Sequence, residues 1–230
     1  LFVGHLGNAM LNAADFHSND RGYGMSYLTT VHRTWVLSRL VIEMEEMPLA
    51  YDKFNIETWV EGVMRFFTSR NFAVKSTDGS KVYGYGRSVW AMIDTDTRQP
   101  ADIFEMRGGL INEYVETEKA CPIDKPGRVK MGKEATWVRT IDTYYNDVDV
   151  NGHINSVKYI EHVLDLFDLD WYRHHRLKRF EIAYVAEAYQ GDRLSLWTER
   201  KSEDEYLVRI VRDDDRKQEI VRSLLKFVKD

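Results

Sequence analysis

Asp147-Val-Asp-Val-Asn-Gly-His-Ile-Asn155 is the stretch that decides the fold. An alternating apolar segment from Trp137 to Tyr145 precedes it, and the periodic apolar positions of 154–167 that follow predict a helix. Two carboxylates, two carboxamides and one imidazole are therefore held where a strand passes into a helix. Free N–H groups at a helix start can bind an oxyanion, so the combination favours hydrolysis of an acyl group.

The composition excludes several classes of protein. The chain has 230 residues and is 43% hydrophobic, which is enough for one large domain or two modest ones. A net charge of −5 without a long basic run argues against nucleic-acid binding. The apolar runs are short and interrupted by charges, which excludes a membrane span. A single cysteine, Cys121, excludes an internal disulfide and favours a reducing compartment, so we expect a cytoplasmic protein.

The sequence repeats itself, which predicts two copies of one α+β unit. Asp52-Lys-Phe-Asn-Ile-Glu-Thr58 matches Asp192-Arg-Leu-Ser-Leu-Trp-Thr198 at an offset of 140 residues. Gly4-His-Leu matches Gly152-His-Ile, and Arg87-Ser-Val matches Arg222-Ser-Leu, in the same order. We predict a helix over 6–16 and strands over the ranges 31–42, 54–67, 72–74, 82–93, 179–188, 192–201, 205–212 and 219–229.

A polar segment with two prolines and two glycines separates the copies and predicts a linker over 116–135. The units are then 1–115 and 136–230. Each is expected to be a long helix wrapped by an antiparallel sheet. The chain begins at Leu1 instead of methionine, and we expect further residues upstream, including the first strand of the first unit.

A resemblance supports this arrangement. Asp147-Val-Asp-Val-Asn-Gly-His-Ile-Asn-Ser-Val-Lys-Tyr-Ile160 resembles the motif of the acyl-[acyl-carrier-protein] thioesterases, which have two tandem hot-dog units. Tyr184-Val-Ala-Glu-Ala-Tyr-Gln-Gly-Asp192 is similar to a second signature of that family. The resemblance covers nearly the whole chain. It implies hydrolysis of fatty acyl-carrier thioesters in fatty acid biosynthesis, releasing free fatty acid and acyl carrier protein.

The sequence departs from the family pattern in two places. Plant members carry a cysteine directly after the motif glutamate, whereas this chain has Ala188, so it resembles the bacterial branch and a thiol mechanism there is impossible. In the first unit, Leu1 and Val3 stand where the second has Asp149 and Asn151. We therefore expect the first unit to be catalytically silent and, by resemblance, to hold the acyl chain among aromatic side chains such as Tyr23, Trp35, Trp59, Phe66, Phe67 and Trp90.

The resemblance implies four catalytic side chains, of which Asp149 is the candidate base or nucleophile. Asn151 would orient the water, His153 would act as a base or polarise the thioester oxygen, and Glu187 would hold His153 or the water. The residues alone leave other roles open. Asp149 suits a turn or helix cap, and Asn151-Gly152 suits a hairpin turn. His153 suits a surface or capping position, and Glu187 suits an exposed strand.

The remaining expectations concern the oxyanion, the carrier and the neighbours of the motif. The backbone N–H groups of Gly152, His153 and Ile154 are expected to bind the oxyanion. Acyl carrier protein is acidic, so a basic docking patch is expected at Arg173, Arg176, Lys178 and Arg179. Asp147, Asn155, Lys158 and Tyr159 are assigned structural roles. No metal and no cofactor is implied, and a homodimer is left open.

Other functions also fit a hot-dog protein. An acyl-CoA thioesterase differs only in the thiol that carries the acyl group. A non-catalytic acyl-binding module would have no need of Asp149 and Asn151, and both are present. A hydratase is disfavoured by Asn151 and by the strand that carries Glu187.

Overall fold

The boundary between the two halves of the chain lies inside the predicted linker. A computed structural model describes residues 2–229. Two units separate in it, Leu1–Lys125 and Pro126–Asp230. No helix among the described residues is both long enough and apolar enough to cross a membrane.

The first unit places one long helix against a four-stranded antiparallel sheet. Its elements are α1 (Val3–Asp20), α2 (Met25–Leu28), β1 (Arg33–Met44), β2 (Phe54–Val63), β3 (Phe67–Ser76) and β4 (Val82–Asp94), with 3-10 turns at Thr29–Val31, Ile103–Gly108 and Leu110–Tyr114. Within this unit the strand order is β2-β3-β4-β1. Helix α1 extends beyond the predicted range 6–16 at both ends.

A glycine lets α1 approach the sheet closely. Met10 of α1 and Phe72 of β3 are fully buried. A Cβ atom added to Gly86 of β4 would lie 2.9 Å from the Met10 sulfur and 3.2 Å from the Phe72 ring. The absence of a side chain at Gly86 therefore makes room for the helix, as expected where two backbones pack closely.

The second unit repeats this design with one additional strand. Its elements are β5 (Thr136–Asp142), α3 (Ser156–Leu164), α4 (Leu169–His174), β6 (His175–Tyr184), β7 (Arg193–Arg200), β8 (Glu205–Arg212) and β9 (Glu219–Lys229), with a 3-10 turn at Tyr145–Asp147. Within this unit the strand order is β6-β9-β8-β7-β5, and the paired strands are antiparallel. The predicted α+β class is confirmed.

The repeat is visible in an irregularity of the sheets as well as in their order. The register of β1 shifts between Leu37 and Arg39, and that of β6 shifts between Leu177 and Arg179. These bulges are 140 residues apart, the offset found between Asp52 and Asp192. Because a bulge bends a strand at one defined place, its recurrence supports the duplication of a structural unit.

Further element boundaries also differ from the prediction. The predicted strand 54–67 ends as β2 at Val63, because the Met64 N–H donates to the Phe67 carbonyl at 2.7 Å and closes a tight hairpin there, and Phe67 already begins β3. The helix predicted from residue 154 begins at Ser156 and ends at Leu164. The strand predicted over 179–188 is β6, which begins earlier, at His175. Residues 175–178 are mostly basic, so their sequence is typical of a loop.

Candidate active site

The motif Asp147–Asn155 forms a compact turn ahead of α3. Val148 and Ile154 are paired in an antiparallel bridge, and His153 is paired with Tyr189 in another. The Gly152 N–H donates to the Asp149 carbonyl at 3.1 Å, and Gly152 has a φ of +83° that glycine adopts without strain. The turn and the helix predicted for this segment therefore both exist, one after the other.

Asp149 organises this turn through one carboxylate oxygen. Its Oδ1 accepts hydrogen bonds from the backbone N–H of Asn151 at 2.8 Å and of His153 at 3.2 Å. The backbone N–H of Asp149 itself donates to the His153 carbonyl at 2.7 Å. Among the described residues, Oδ2 has no hydrogen bond. Asp149 is therefore a turn acid with one oxygen still available for chemistry.

The backbone N–H groups of Gly152, His153 and Ile154 are not free to bind an oxyanion, so this prediction is wrong. The Gly152 N–H is bonded to the Asp149 carbonyl, the His153 N–H to Asp149 Oδ1, and the Ile154 N–H to the Ala188 carbonyl at 2.9 Å. The prediction assumed that the helix begins near Gly152, where N–H groups would be free. Because α3 begins at Ser156, these three groups belong to a turn and two bridges that use them.

His153 and Glu187 come together from separate segments of the second unit. His153 Nε2 lies 3.5 Å from Glu187 Oε2, and both side chains are partly buried, at 24% and 31% exposure. The Tyr189 hydroxyl also lies 3.5 Å from Glu187 Oε2, and its ring lies edge-on to the imidazole at 5.2 Å. Glu187 was expected to hold His153 or the water, and the structure places it beside His153; its part in catalysis stays a prediction.

Arg212, at the end of β8, holds the segment that carries Glu187. Its Nη2 donates to the Glu187 carbonyl at 2.5 Å, and its Nε lies 3.1 Å from Asp192 Oδ2. The same Asp192 oxygen accepts the Tyr189 N–H at 2.9 Å. The sequence motifs do not predict these contacts of Tyr189 and Arg212. Tyr189 follows Glu187 by two residues, so in an extended chain both side chains lie on the same side. This spacing is the sequence signal that could have indicated Tyr189.

The neighbours of the motif have the structural roles assigned to them. Asn155 caps α3, because its Oδ1 accepts the Val157 N–H at 2.9 Å. The Asn155 N–H donates to the Asp147 carbonyl at 2.7 Å. Lys158 pairs with Glu161 on the helix at 2.9 Å, and Tyr159 is buried, with its ring 6.2 Å from that of Tyr184. Asp147 Oδ2 accepts the Tyr144 N–H at 2.7 Å.

The predicted docking patch is wrong at Arg179. This side chain is buried, and its Nε donates to Glu181 Oε1 at 2.8 Å. Glu181 Oε2 in turn accepts the Gly127 N–H at 2.8 Å. The basic run spans the end of helix α4, which carries Arg173, and the start of strand β6, in which alternate side chains point inwards. Arg173 is exposed, 3.7 Å from Asp170, while Arg176 and Lys178 are partly buried and have interactions of their own.

Cys121 and His5, which the sequence set apart from catalysis, both lie in the first unit. Cys121 is half-buried with its Sγ 4.0 Å from the Gly86 carbonyl. Burial raises the pKa of this thiol, so less thiolate is present at neutral pH. His5 is exposed in the first turn of α1, beside Phe2. The prediction for Leu1 lies outside the described residues.

The first unit also contains a polar cluster beneath its sheet. Arg70 is buried, and its guanidinium donates to the Tyr23 hydroxyl and to Thr58 Oγ1, each at 3.1 Å. His17 Nδ1 lies 3.1 Å from the same hydroxyl. Burial, followed by the charges of Arg70 and Arg21, lowers the pKa of His17 from 6.5 to about 3. His17 is therefore neutral in the folded protein at neutral pH.

The aromatic side chains named for the acyl pocket differ in their burial. Tyr23 and Trp59 are fully buried, Trp35, Phe66 and Trp90 are partly buried, and Phe67 is exposed. Their role toward an acyl chain stays a prediction. Among residues 2–229, no three His, Cys, Asp or Glu side chains are placed to hold a metal ion.

The comparisons with known proteins decide the family. Residues 3–107 match the acyl-ACP thioesterase N-terminal domain, and residues 131–227 match the C-terminal domain. A crystal structure of an acyl-ACP thioesterase from Bacteroides thetaiotaomicron is 48% identical, with a TM-score of 0.91, over 99% of this chain and 90% of that one. This chain belongs to the acyl-ACP thioesterase family.

More distant members of the family show the same fold. The 12:0-ACP thioesterase from Umbellularia californica has a TM-score of 0.84 at 20% identity, over 99% of this chain and 90% of that one. The chloroplastic palmitoyl-acyl carrier protein thioesterase of Arabidopsis thaliana is 27% identical over 156 residues, which is 66% of this chain. The match spans 38% of the length of that plant protein.

Proposed function

We propose that this protein hydrolyses fatty acyl-[acyl-carrier-protein] thioesters and releases free fatty acid. The observation that carries the proposal is the pairing of His153 with Glu187 at 3.5 Å, on the turn that Asp149 organises. The Bacteroides relative, 48% identical over nearly the whole chain, is described as an acyl-ACP thioesterase. The partners implied are acyl carrier protein and a fatty acyl chain.

The geometry supports a division of roles among the side chains. Asp149 Oδ2 is the oxygen that would activate a water molecule or attack the thioester carbon. The C–S bond then breaks, and the carrier thiol leaves with a proton. If Asp149 has attacked the carbon, water must next hydrolyse the acyl-aspartyl anhydride, which releases the fatty acid and restores the carboxylate. His153, oriented by Glu187, would supply that proton or polarise the carbonyl oxygen. With the backbone N–H groups engaged, the side chains of Asn151 and His153 are the donors proposed for the oxyanion.

The test is incubation with a panel of acyl-carrier thioesters of different chain length, followed by mass analysis of the released acids. Acyl-CoA thioesters of the same chains form the matched series. We expect faster release from the carrier series. A preference for acyl-CoA would make the protein an acyl-CoA thioesterase, while binding without turnover in either series would make it an acyl-binding module.

We propose that acyl carrier protein docks on Arg173, Arg176 and Lys178. Arg179 is left out because its side chain is buried. Reversing the charge of Arg173 and Lys178 should raise KM for the acyl-carrier substrate and leave kcat unchanged, because rim charges act mainly on association. Hydrolysis of a small acyl thioester without the carrier is the control and should be unaffected. An equal loss with both substrates would show that the segment is structural.

A further inference from the structure

A pocket of about 630 Å³ lies in the second unit and is lined by none of the residues assigned to catalysis. It is formed by linker residues 128–132 and by strands β8 and β9 with the turn between them. Its charged lining residues are five cations and one carboxylate, namely Arg128, Lys130, Arg209, Lys217, Arg222 and Glu219. This positive excess is concentrated in one pocket of a chain with a net charge of −5.

The cations converge because of the register of the sheet. Arg209 of β8 is paired directly with Arg222 of β9, so both side chains lie on one face. Val208 and Ile210, the neighbours of Arg209 in β8, are fully buried on the opposite face. Two like charges directly opposite each other are unfavourable in a sheet unless something neutralises them.

The acidic groups within the chain neutralise only part of this charge. Arg222 donates to Glu219 at 2.7 Å, and Lys217 pairs with Asp213 at 2.5 Å. Arg128, Lys130 and Arg209 have no ion pair with any carboxylate among the described residues. Three cations in the pocket are therefore available to an anion.

Arg209 is the most informative of the three. Its guanidinium lies over the ring of Trp197 at 5.1 Å, which holds the side chain in place. Its Nε is buried and has no hydrogen-bond acceptor among the described residues. A buried donor without an acceptor is unfavourable, so the hydrogen-bonding capacity of the Arg209 guanidinium is not filled by the described residues. The guanidinium also has the geometry that binds phosphate oxygens in pairs.

We propose that this pocket binds a small phosphorylated molecule that carries at least two phosphate groups. Three free cations match a ligand with several negative charges better than they match a single carboxylate. A volume of about 630 Å³ is in the range of small-molecule sites and leaves room for an organic part beside a diphosphate. Met131 and Val211 supply apolar lining for that part. The inference does not depend on the proposed hydrolysis.

The test is isothermal titration of the full chain with inorganic phosphate, diphosphate and ADP at fixed ionic strength. Diphosphate and ADP should bind saturably, and phosphate at least tenfold more weakly. Tighter binding of ADP than of diphosphate would assign the site to a phosphate ester, and equal binding would assign it to the free diphosphate ion. The double substitution Arg128→Ala with Lys130→Ala should weaken diphosphate binding at least tenfold.

Two controls separate a site from general charge attraction. The double substitution Lys53→Ala with Lys133→Ala removes the same charge at exposed positions outside the pocket and should change Kd less than twofold. Arg209→Met keeps an apolar chain over Trp197 and should weaken binding as much as the linker pair does. Thermal unfolding verifies that each variant is folded.

Three outcomes would overturn the proposal. The first is absence of saturable binding by diphosphate and ADP at millimolar concentration. The second is equal weakening by the control pair. The third is binding of acidic carrier protein that depends on Arg128 and Lys130 while no phosphate compound binds, which would make the pocket a protein-docking surface.

Discussion

Glu187 Oε2 lies within 3.5 Å of both His153 Nε2 and the Tyr189 hydroxyl, so one carboxylate oxygen contacts two polar side chains. The backbone bridge between His153 and Tyr189 holds the two segments in place. The position of the imidazole is therefore fixed by both backbone pairing and a charged partner.

Replacing Glu187 with Gln should lower kcat at least about tenfold while the protein stays folded. The amide keeps the shape of the side chain and removes the negative charge that lies 3.5 Å from the imidazole. Tyr189→Phe is the matched control, because it removes the other polar contact of the same oxygen, and it should lower kcat less. Steady-state kinetics on an acyl-carrier substrate gives both values, and full activity of Glu187→Gln would exclude an electrostatic role for this carboxylate.

The two units contain one histidine each at corresponding positions of the repeat, and only one is expected to matter for turnover. His153→Ala should reduce kcat by about two orders of magnitude, the usual scale of acid–base participation. His5→Ala, on the exposed surface of α1, should have almost no effect. Similar losses in both variants would contradict a single active site.

Asp149 has a structural and a chemical role, and two substitutions distinguish them. Asn retains the Oδ1 acceptor for the N–H groups of Asn151 and His153, so Asp149→Asn should keep its melting temperature and lose about two orders of magnitude in kcat. Asp149→Ala should lose a similar factor and also about 1 kcal/mol of stability, as for a lost cap. If Asp149→Asn kept more than half the wild-type rate, Asp149 would be neither base nor nucleophile.

Cys121→Ser should leave the rate of hydrolysis unchanged. The thiol is half-buried in the first unit, and burial raises its pKa, which disfavours the reactive thiolate. Alkylation of the wild-type protein, followed by activity assay and mass analysis of the modified cysteine, is the corresponding chemical test. Loss of activity in proportion to alkylation would show that Cys121 takes part after all.

His17 should make the protein less stable as the pH falls. Its pKa is about 3 in the folded protein and ordinarily 6.5, so between these values the unfolded chain binds a proton that the folded chain does not. The free energy of unfolding therefore decreases as the pH drops below about 6.5. His17→Gln cannot bind this proton, and its stability should fall less between pH 7 and pH 5. Urea unfolding of both proteins across this range makes the comparison, and parallel curves would contradict it.

The sequence predicts the elements of this fold well because their apolar periods are regular. The five strands β1, β4, β7, β8 and β9 lie within a few residues of the predicted ranges. The hairpin at Met64–Phe67 was missed because the apolar alternation continues through it. The start of β6 is not predicted because residues 175–178 are mostly basic, as in a solvated loop. The burial of Arg179 is not predicted because it depends on Glu181, a contact that periodicity does not reveal.

The site is predictable in its residues and less so in its hydrogen bonds. The two motifs point to Asp149, His153 and Glu187: Asp149 accepts the His153 backbone N–H, and the His153 imidazole lies 3.5 Å from Glu187. The donors expected for the oxyanion fail because each N–H is used by a partner elsewhere, including the Ala188 carbonyl, which is 34 residues away in sequence from Ile154. Arg212 was missed for the same reason, since its contact with Glu187 depends on how β8 ends.

Asn155 caps α3 and closes the preceding loop through the Asp147 carbonyl, and Asp149 holds the turn between them. Much of the motif is thus required for folding whether or not the protein turns over substrate. A descendant that had lost its activity would still be under selection to keep Asp149 and Asn155. In divergent relatives, joint retention of His153 and Glu187 should be the better marker of an active enzyme, because neither side chain caps the helix or closes the turn.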